Sequence, residues 1–162
     1  MREILFRGKD TLGHWLYGGF HLWKTRQPCV MDDKLKPEEI KHIIIQNSFA
    51  DWNMPRTMQP YIVIPETVGQ YTGLTDKNGI KIFEGDIVKV YEDIDYRIGV
   101  HKSNRKTRTI IGVVAFDEKR FEYQIKNEEY NLTLFRLSKK DTNEVIGNIH
   151  DNPELLKESE GK

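Results

Sequence analysis

The sequence is poor in the features that mark secreted and membrane-bound proteins. Cys29 is the only cysteine, which excludes an intrachain disulfide and is typical of a reducing compartment. No run approaches the ~18–20 apolar residues of a membrane span. Met1 is followed by Arg2 and Glu3 with no apolar signal segment. We therefore expect a cytoplasmic protein with no membrane partner.

The chain also lacks net charge. Twenty-five basic residues balance twenty-five acidic ones, so the formal net charge at pH 7 is +0. No global field then draws the protein onto nucleic acid or an anionic membrane, and any such binding must come from a local patch. Seven Tyr, seven Phe and three Trp nevertheless supply core material that a disordered chain lacks. We expect a folded protein of one domain or two small, closely packed lobes.

Motifs for metal binding and catalysis are missing as well. The five histidines are scattered, and neither C-x-x-C nor H-E-x-x-H occurs, so we predict no metal site and no cofactor. No G-x-S-x-G elbow is present, and we expect no enzymatic activity. Glu92, Asp93 and Asp95 form an acidic cluster that could hold Mg²⁺, but a solvated strand end is the simpler interpretation. A metal-dependent hydrolase that uses Asp93, Asp95 or His150 is the least favoured hypothesis.

The stretch 68–91, VGQYTGLTDKNGIKIFEGDIVKVY, has the clearest local pattern in the chain. Asn78-Gly79 predicts a tight turn, because both residues tolerate positive φ at low steric cost. The β-branched and aromatic residues at 87–91 predict a strand. We assign a structural role in turns to Asp76, Asn78, Gly79, Gly85 and Asp86.

Short strands recur along the rest of the chain. Alternating aromatics predict a strand at 15–23, in which Gly18-Gly19 indicates a bulge or the close approach of another backbone. Pro37 predicts one helical turn before a strand at 42–47, and 50–60 is interpreted as an irregular connection. Further strands are predicted at 61–64, 109–116, 121–125, 132–137 and 144–149. This spacing predicts a mainly β fold, a small barrel or sandwich, with only short helices.

Three blocks of the sequence resemble the YopX family of phage and prophage proteins. They are REILFRGK at 2–9, TVGQYTGLTDKNGIKIFEGDIV at 67–88 and EVIGNIHDNPELL at 144–156. Residues 25–60 and 92–140 carry no family signature. The resemblance implies a β-rich fold with an SH3-like barrel in the C-terminal part, and members that form homo-oligomers. The biochemical role of the family is largely unassigned, so no catalytic residue is carried over.

The pattern and the resemblance together predict the domain organisation. We expect a mainly β chain with a small SH3-like barrel in its C-terminal part and an N-terminal β-hairpin region packed on it. The predicted segments are a β-rich region at 1–67, the barrel domain at 68–158 and a frayed tail at 159–162.

One basic segment, 101–108, has the composition of a binding site. Its cationic residues could neutralise phosphates, and nearby Tyr91 or Tyr96 could stack on bases. The simpler interpretation is a solvated hairpin tip whose charge resists edge pairing. The candidate nucleic-acid-binding residues are Lys102, Arg105, Lys106 and Arg108.

These observations favour a non-catalytic phage or prophage accessory protein, acting in the cytoplasm of a bacterial host cell. We expect a binding or assembly module that self-associates, because aromatic residues are abundant in an otherwise polar chain and some can cover an interface. Its partner is then a second copy of the chain. The alternative is a nucleic-acid-binding protein that uses the 101–108 segment, and another phage or host protein is a further candidate partner.

Overall fold

The computed structural model describes residues 3–29, 34–48, 56–97, 103–127, 131–133 and 143–157, with the backbone alone at 92–97, 103–107, 131 and 157. The protein is mainly β, which confirms the predicted fold class. The chain divides into two compact units, Met1–Tyr71 and Thr72–Lys162. In the part of the chain described, no helix is long and apolar enough to cross a membrane.

The first unit contains four strands, β1 (Phe6–Lys9), β2 (Trp15–Lys24), β3 (Ile40–Asn47) and β4 (Met58–Val63), and the beginning of a fifth, β5 (Gly69–Thr75). They form a sheet in the order β4-β3-β2-β1-β5. A 3₁₀ turn at Pro37–Glu39 precedes β3, as the proline predicts, and a second 3₁₀ turn, Pro65–Thr67, precedes β5.

The buried residues of the first unit lie mainly on one face of this sheet. Ile44 and Val63 are buried there, and the rings of Phe6 and Phe20 are 5.3 Å apart between centroids. A Cβ on Gly18 would overlap the carbonyl oxygen of Ile45 on the neighbouring strand. The close backbone approach predicted for the glycine pair is therefore confirmed at Gly18.

The second unit contains β6 (Lys81–Phe83), β7 (Asp86–Arg97), β8 (Ser103–Asp117), β9 (Glu122–Lys126), β10 (Asn131–Thr133), β11 (Asn143–Asn148) and a short helix, α1 (Glu154–Lys157). Five of these strands form a sheet in the order β10-β9-β8-β7-β11, in which all pairs are antiparallel. Buried residues of β6, β7, β8 and β9 form the core of this unit: Ile82, Val88, Val90, Ile110, Val114 and Ile125.

The described strands of the second unit do not close into the predicted small barrel. Strands β10 and β11 lie at opposite ends of the sheet, and the described residues contain no pairing between them. Short strands at regular spacing are typical of barrels, sandwiches and open sheets alike, so the spacing predicts strands without specifying closure. The prediction of a mainly β fold is confirmed, whereas the sheets of the described residues are not closed into the SH3-like barrel that the resemblance implied.

The turn between β5 and β6 has the structural role predicted for it. Gly79 has a positive φ of 81°, and Asp76 is buried. The Asp76 carboxylate accepts hydrogen bonds from the backbone amides of Asn78 at 2.8 Å and Ile80 at 2.9 Å, and also from Val145 of β11 at 3.1 Å. The turn thus fixes its own conformation and also joins β11, which lies far away in sequence.

The turn between β6 and β7 follows the same chemistry. Gly85 has a φ of 79°, and the Asp86 carboxylate accepts a hydrogen bond from the backbone amide of Phe83 at 2.7 Å. The structural role predicted for Gly85 and Asp86 is confirmed. The predicted boundary after residue 67 lies just before β5. The division into an N-terminal β-rich region, 1–67, and a barrel domain, 68–158, stays a prediction. The predicted tail at 159–162 lies outside the described residues.

Candidate interaction surface

One face of the sheet in the first unit carries exposed apolar side chains. The register places His21, Ile43 and Ile62 in one row across β2, β3 and β4. Residues two or four positions apart along a strand share a face, so each strand adds further members to it. We define the apolar face by its exposed large side chains, which are Tyr17, Trp23, Ile62 and Met58 with 46%, 49%, 51% and 77% exposure.

The apolar face has exposed side chains on β2 and β4, whereas Ile43 on β3 between them is buried. A Cβ on Gly19, between Tyr17 and His21 on β2, would meet no atom within 4 Å, so the face is open at this position. At about 200 Å² for each full side chain, the four members expose roughly 400 Å². The largest apolar patch of an ordinary monomer, ~300–600 Å², is often functional. This patch would supply about half of the ~800 Å² that each partner contributes to a standard interface.

Strand β4 forms an edge of the same sheet and carries no charged residue. Its sequence is MQPYIV, and β3 is its neighbour on one side. Edge strands usually carry charges that prevent pairing with other chains. Pro60 removes one donor from β4 and partly blunts its edge, which leaves the exposed side chains of the face as its main means of association.

Sequence reasoning missed the start of β4. The interpretation of 50–60 as an irregular connection is wrong for its last residues, because the strand begins at Met58. Pro60 argues against a central strand but is tolerated on an edge strand, where no neighbour needs its missing N–H. Pro60 was therefore the residue from which an edge strand could have been predicted.

The basic segment is paired with the acidic cluster. Lys102 lies outside the described residues, and Lys106 is opposite Ile94. In the antiparallel register of β7 and β8, Arg108 is opposite Glu92 and Arg105 is opposite Asp95. The basic stretch of β8 is therefore paired along its backbone with the acidic stretch of β7. The nucleic-acid-binding role of Lys102, Arg105, Lys106 and Arg108 stays a prediction.

The other candidate site residues occupy different surroundings. Tyr91, predicted to stack on bases, has the ammonium groups of Lys77 and Lys89 each 5.3 Å from its ring centroid. The backbone amide of His150 donates to the Asn148 side-chain oxygen at 3.0 Å, which places His150 in a turn. Among the described residues, no group of three or more His, Cys, Asp or Glu could hold a metal ion.

Comparisons with known proteins place the chain in a family. No curated protein matches it. The crystal structure of protein EF1440 from Enterococcus faecalis is similar, with 27% sequence identity, coverage of 96% of this chain and 99% of that chain, and a TM-score of 0.49. The family model described as YopX protein matches residues 19–157, which is most of the chain. The sequence blocks at 67–88 and 144–156 lie within this match, and the block at 2–9 lies before it. The resemblance to the family is confirmed, and the chain belongs to the YopX family.

Proposed function

We propose that this phage or prophage accessory protein is a non-catalytic assembly module that self-associates through its apolar face. The observation that carries the proposal is the exposure of Tyr17, Trp23, Met58 and Ile62 on one face of β2, β3 and β4. Burying apolar surface is the main favourable contribution to most protein association. The face would form the apolar centre of an interface, and polar residues around it would form the rim.

A second copy is the partner that the chemistry of the face favours. Most homo-oligomers use two-fold interfaces, in which one patch contacts the same patch of the other subunit. Like charges brought opposite each other in such a contact are destabilising. Because β4 carries no charge, two copies can approach along it without this repulsion.

The test compares two pairs of substitutions on the same strands. Trp23→Lys with Ile62→Lys changes the apolar face, whereas Leu22→Lys with Tyr61→Lys changes the adjacent positions on the opposite face, which are similarly exposed at 46% and 38%. Sedimentation equilibrium should show that the first double variant dissociates at least ~30-fold more readily, as expected for loss of one hot-spot residue of ~2 kcal/mol. Circular dichroism checks that both variants are folded.

The variant with Leu22→Lys and Tyr61→Lys is the matched control, and it should associate as strongly as the unchanged protein does. A monomeric unchanged protein, or equal weakening by both double variants, would contradict self-association through this face. Nucleic-acid binding is the alternative function, and the register of Arg105 and Arg108 against acidic residues does not favour it.

A further inference from the structure

The apolar face of the first unit has a gap on β2. Gly19 lies between Tyr17 and His21 on this face and contributes no side chain to it. An added Cβ at Gly19 would meet no atom within 4 Å, so none of the described residues fills the gap. A glycine inside a strand often marks a place where a ligand or another chain approaches closely.

The side chains that border the gap are exposed. Tyr17 is 46% exposed and Trp23 is 49% exposed. His21, which lies between Gly19 and Trp23 on the same face, is exposed as well. Strand β2 therefore carries both the gap and ring-bearing side chains large enough to fill it.

The spacing of these residues suits a two-fold contact between two copies. In such a contact, residue i of one copy meets residue j of the other, and residue j meets residue i. Sheets that pack face to face lie about 10 Å apart with strand directions within about 30° of each other. A two-fold axis that lies parallel to the sheet and crosses β2 at the level of Phe20 exchanges Tyr17 with Trp23 and Gly19 with His21, because each pair is equally spaced about that level.

Axes at neighbouring levels of β2 match the face less well. An axis at Gly19 would place one gap over the other. An axis at Gly18 leaves Trp23 opposite a residue outside β2, and an axis at His21 does the same for Tyr17. The level between Gly19 and His21 is the one that fills the gap and covers both exposed aromatic side chains.

We propose that two copies pack through the apolar face in this register, with Tyr17 of each copy on Trp23 of the other and His21 of each copy in the gap at Gly19 of the other. This register rests on the proposed self-association and adds the contacts that form it. Aromatic pairs are more favourable than their buried area alone predicts. Each copy contributes both halves of the contact, so the occupant of the gap is a second copy.

The charges on β3 agree with this register. Lys41 pairs with Trp23, and Asn47 lies two positions beyond Ile45, which is the partner of Gly19. The axis therefore exchanges Lys41 with Asn47, so each ammonium group meets a neutral amide and not another cation. Like charges directly opposite each other would destabilise the contact.

The first experiment measures which positions of β3 face each other across the interface. In a background with Cys29→Ser, one variant carries Lys41→Cys and another carries Asn47→Cys. The cross-linker is a bismaleimide that spans about 10 Å, the distance between stacked sheets. Residues 41 and 47 are six positions apart on β3. Two copies of the same variant would therefore hold their cysteines about 20 Å apart, because a strand rises ~3.3 Å per residue.

The mixture of the two cysteine variants should form a cross-linked dimer at least ~10-fold faster than either variant alone, because only the mixed pair brings the cysteines within reach. Sedimentation equilibrium checks that each variant still associates. Cross-linking that is as fast within one variant as in the mixture would overturn the register. Absence of cross-linking in an associating mixture would overturn it as well.

A second experiment exchanges the gap with its neighbour and needs no cysteine. Gly19→His should weaken association at least ~10-fold, because two imidazole rings then compete for one place. His21→Gly should also weaken it, because two gaps then face each other. The variant with both changes again places one ring over each gap and should associate within ~3-fold of the unchanged protein. Effects that simply add in the folded double variant, as judged by circular dichroism, would contradict the register.

The two experiments separate failure of the register from failure of the proposed function. An unchanged protein that stays monomeric in sedimentation equilibrium contradicts both. Association that is lost with Trp23→Lys and Ile62→Lys, but that shows another cross-linking pattern, keeps the proposed function and overturns the register.

Discussion

Asp76 shows how one buried carboxylate can hold two distant parts of a sheet together. It is 6% exposed, and burial by itself would raise its pKa. The backbone amides of Ile80, Val145 and Asn78 act in the opposite direction and hold the pKa of Asp76 below its ordinary value of 3.8. The ionised form is therefore the one that the folded protein stabilises.

We predict that Asp76→Asn lowers the free energy of unfolding at neutral pH by about 1–3 kcal/mol. An amide provides one acceptor oxygen where the carboxylate provides two, so buried backbone donors lose their partner. Urea denaturation measures the loss. Asp117→Asn is the control, because Asp117 accepts one backbone bond, from Lys119, in an exposed turn, and this change should cost a few tenths of a kcal/mol.

We also predict that the effect of Asp76→Asn on the free energy of unfolding depends on pH. The folded-state pKa of Asp76 is depressed, so its contribution to stability is complete above its ordinary pKa of 3.8 and is lost as pH falls through the folded value. The stability difference between unchanged protein and Asp76→Asn should therefore narrow below pH 3.8. Urea denaturation at a series of acidic pH values checks this, and a difference that stays constant would contradict the role of ionised Asp76.

At the scale of single elements, β2 pairs with two different strands, β1 and β3. Its first half pairs with β1 and its second half with β3, and Gly18-Gly19 lies at the change of partner. Gly18 faces the backbone of Ile45, whereas Gly19 faces open space. A side chain is therefore excluded at Gly18 by the neighbouring backbone, whereas no neighbouring atom excludes one at Gly19.

Alanine substitutions should separate these roles. Gly18→Ala is expected to cost at least ~1–3 kcal/mol, because the added carbon overlaps a backbone carbonyl that no side-chain rotation can move. Gly19→Ala should be neutral or stabilise the strand by up to ~1 kcal/mol, because alanine loses less conformational freedom on folding. Thermal denaturation of both variants measures the contrast, and equal effects would contradict the assignment.

At the scale of the whole molecule, charge is balanced both in total and in its arrangement. The formal net charge is +0, and the basic stretch of β8 lies beside the acidic stretch of β7. A protein that binds nucleic acid through phosphates instead gathers cations where no carboxylates compete.

We predict that the protein does not bind labelled single- or double-stranded DNA or RNA in a salt-sensitive manner. Anisotropy titrations at two salt concentrations test this, with the lower salt chosen because phosphate contacts are strongest there. Salt-sensitive binding that is lost on charge reversal at Arg105 and Lys106 would establish the alternative function.

Local chemistry explains which features were predictable from the residues. Asp76, Asn78 and Gly79 predicted their turn because amide-accepting side chains and positive φ act over a few residues. Pro37 predicted a helical turn, and the three blocks predicted the family. The exposure of Trp23 and Ile62 was not predictable, because alternation along a strand defines two faces without showing which one is buried.

The sequence by itself determined that this protein is mainly β, where its tight turns lie and that it belongs to the YopX family, because each depends on neighbouring residues or on strings of sequence. Tertiary structure alone decided that the described strands of the second unit do not close into a barrel and that β4 is the outermost described strand of its sheet. It also decided that Glu92 and Asp95 are opposite Arg108 and Arg105 in the backbone register. These features depend on which strands pair and in what register. Pairing joins residues far apart in sequence, and its energy comes from contacts that no local pattern specifies.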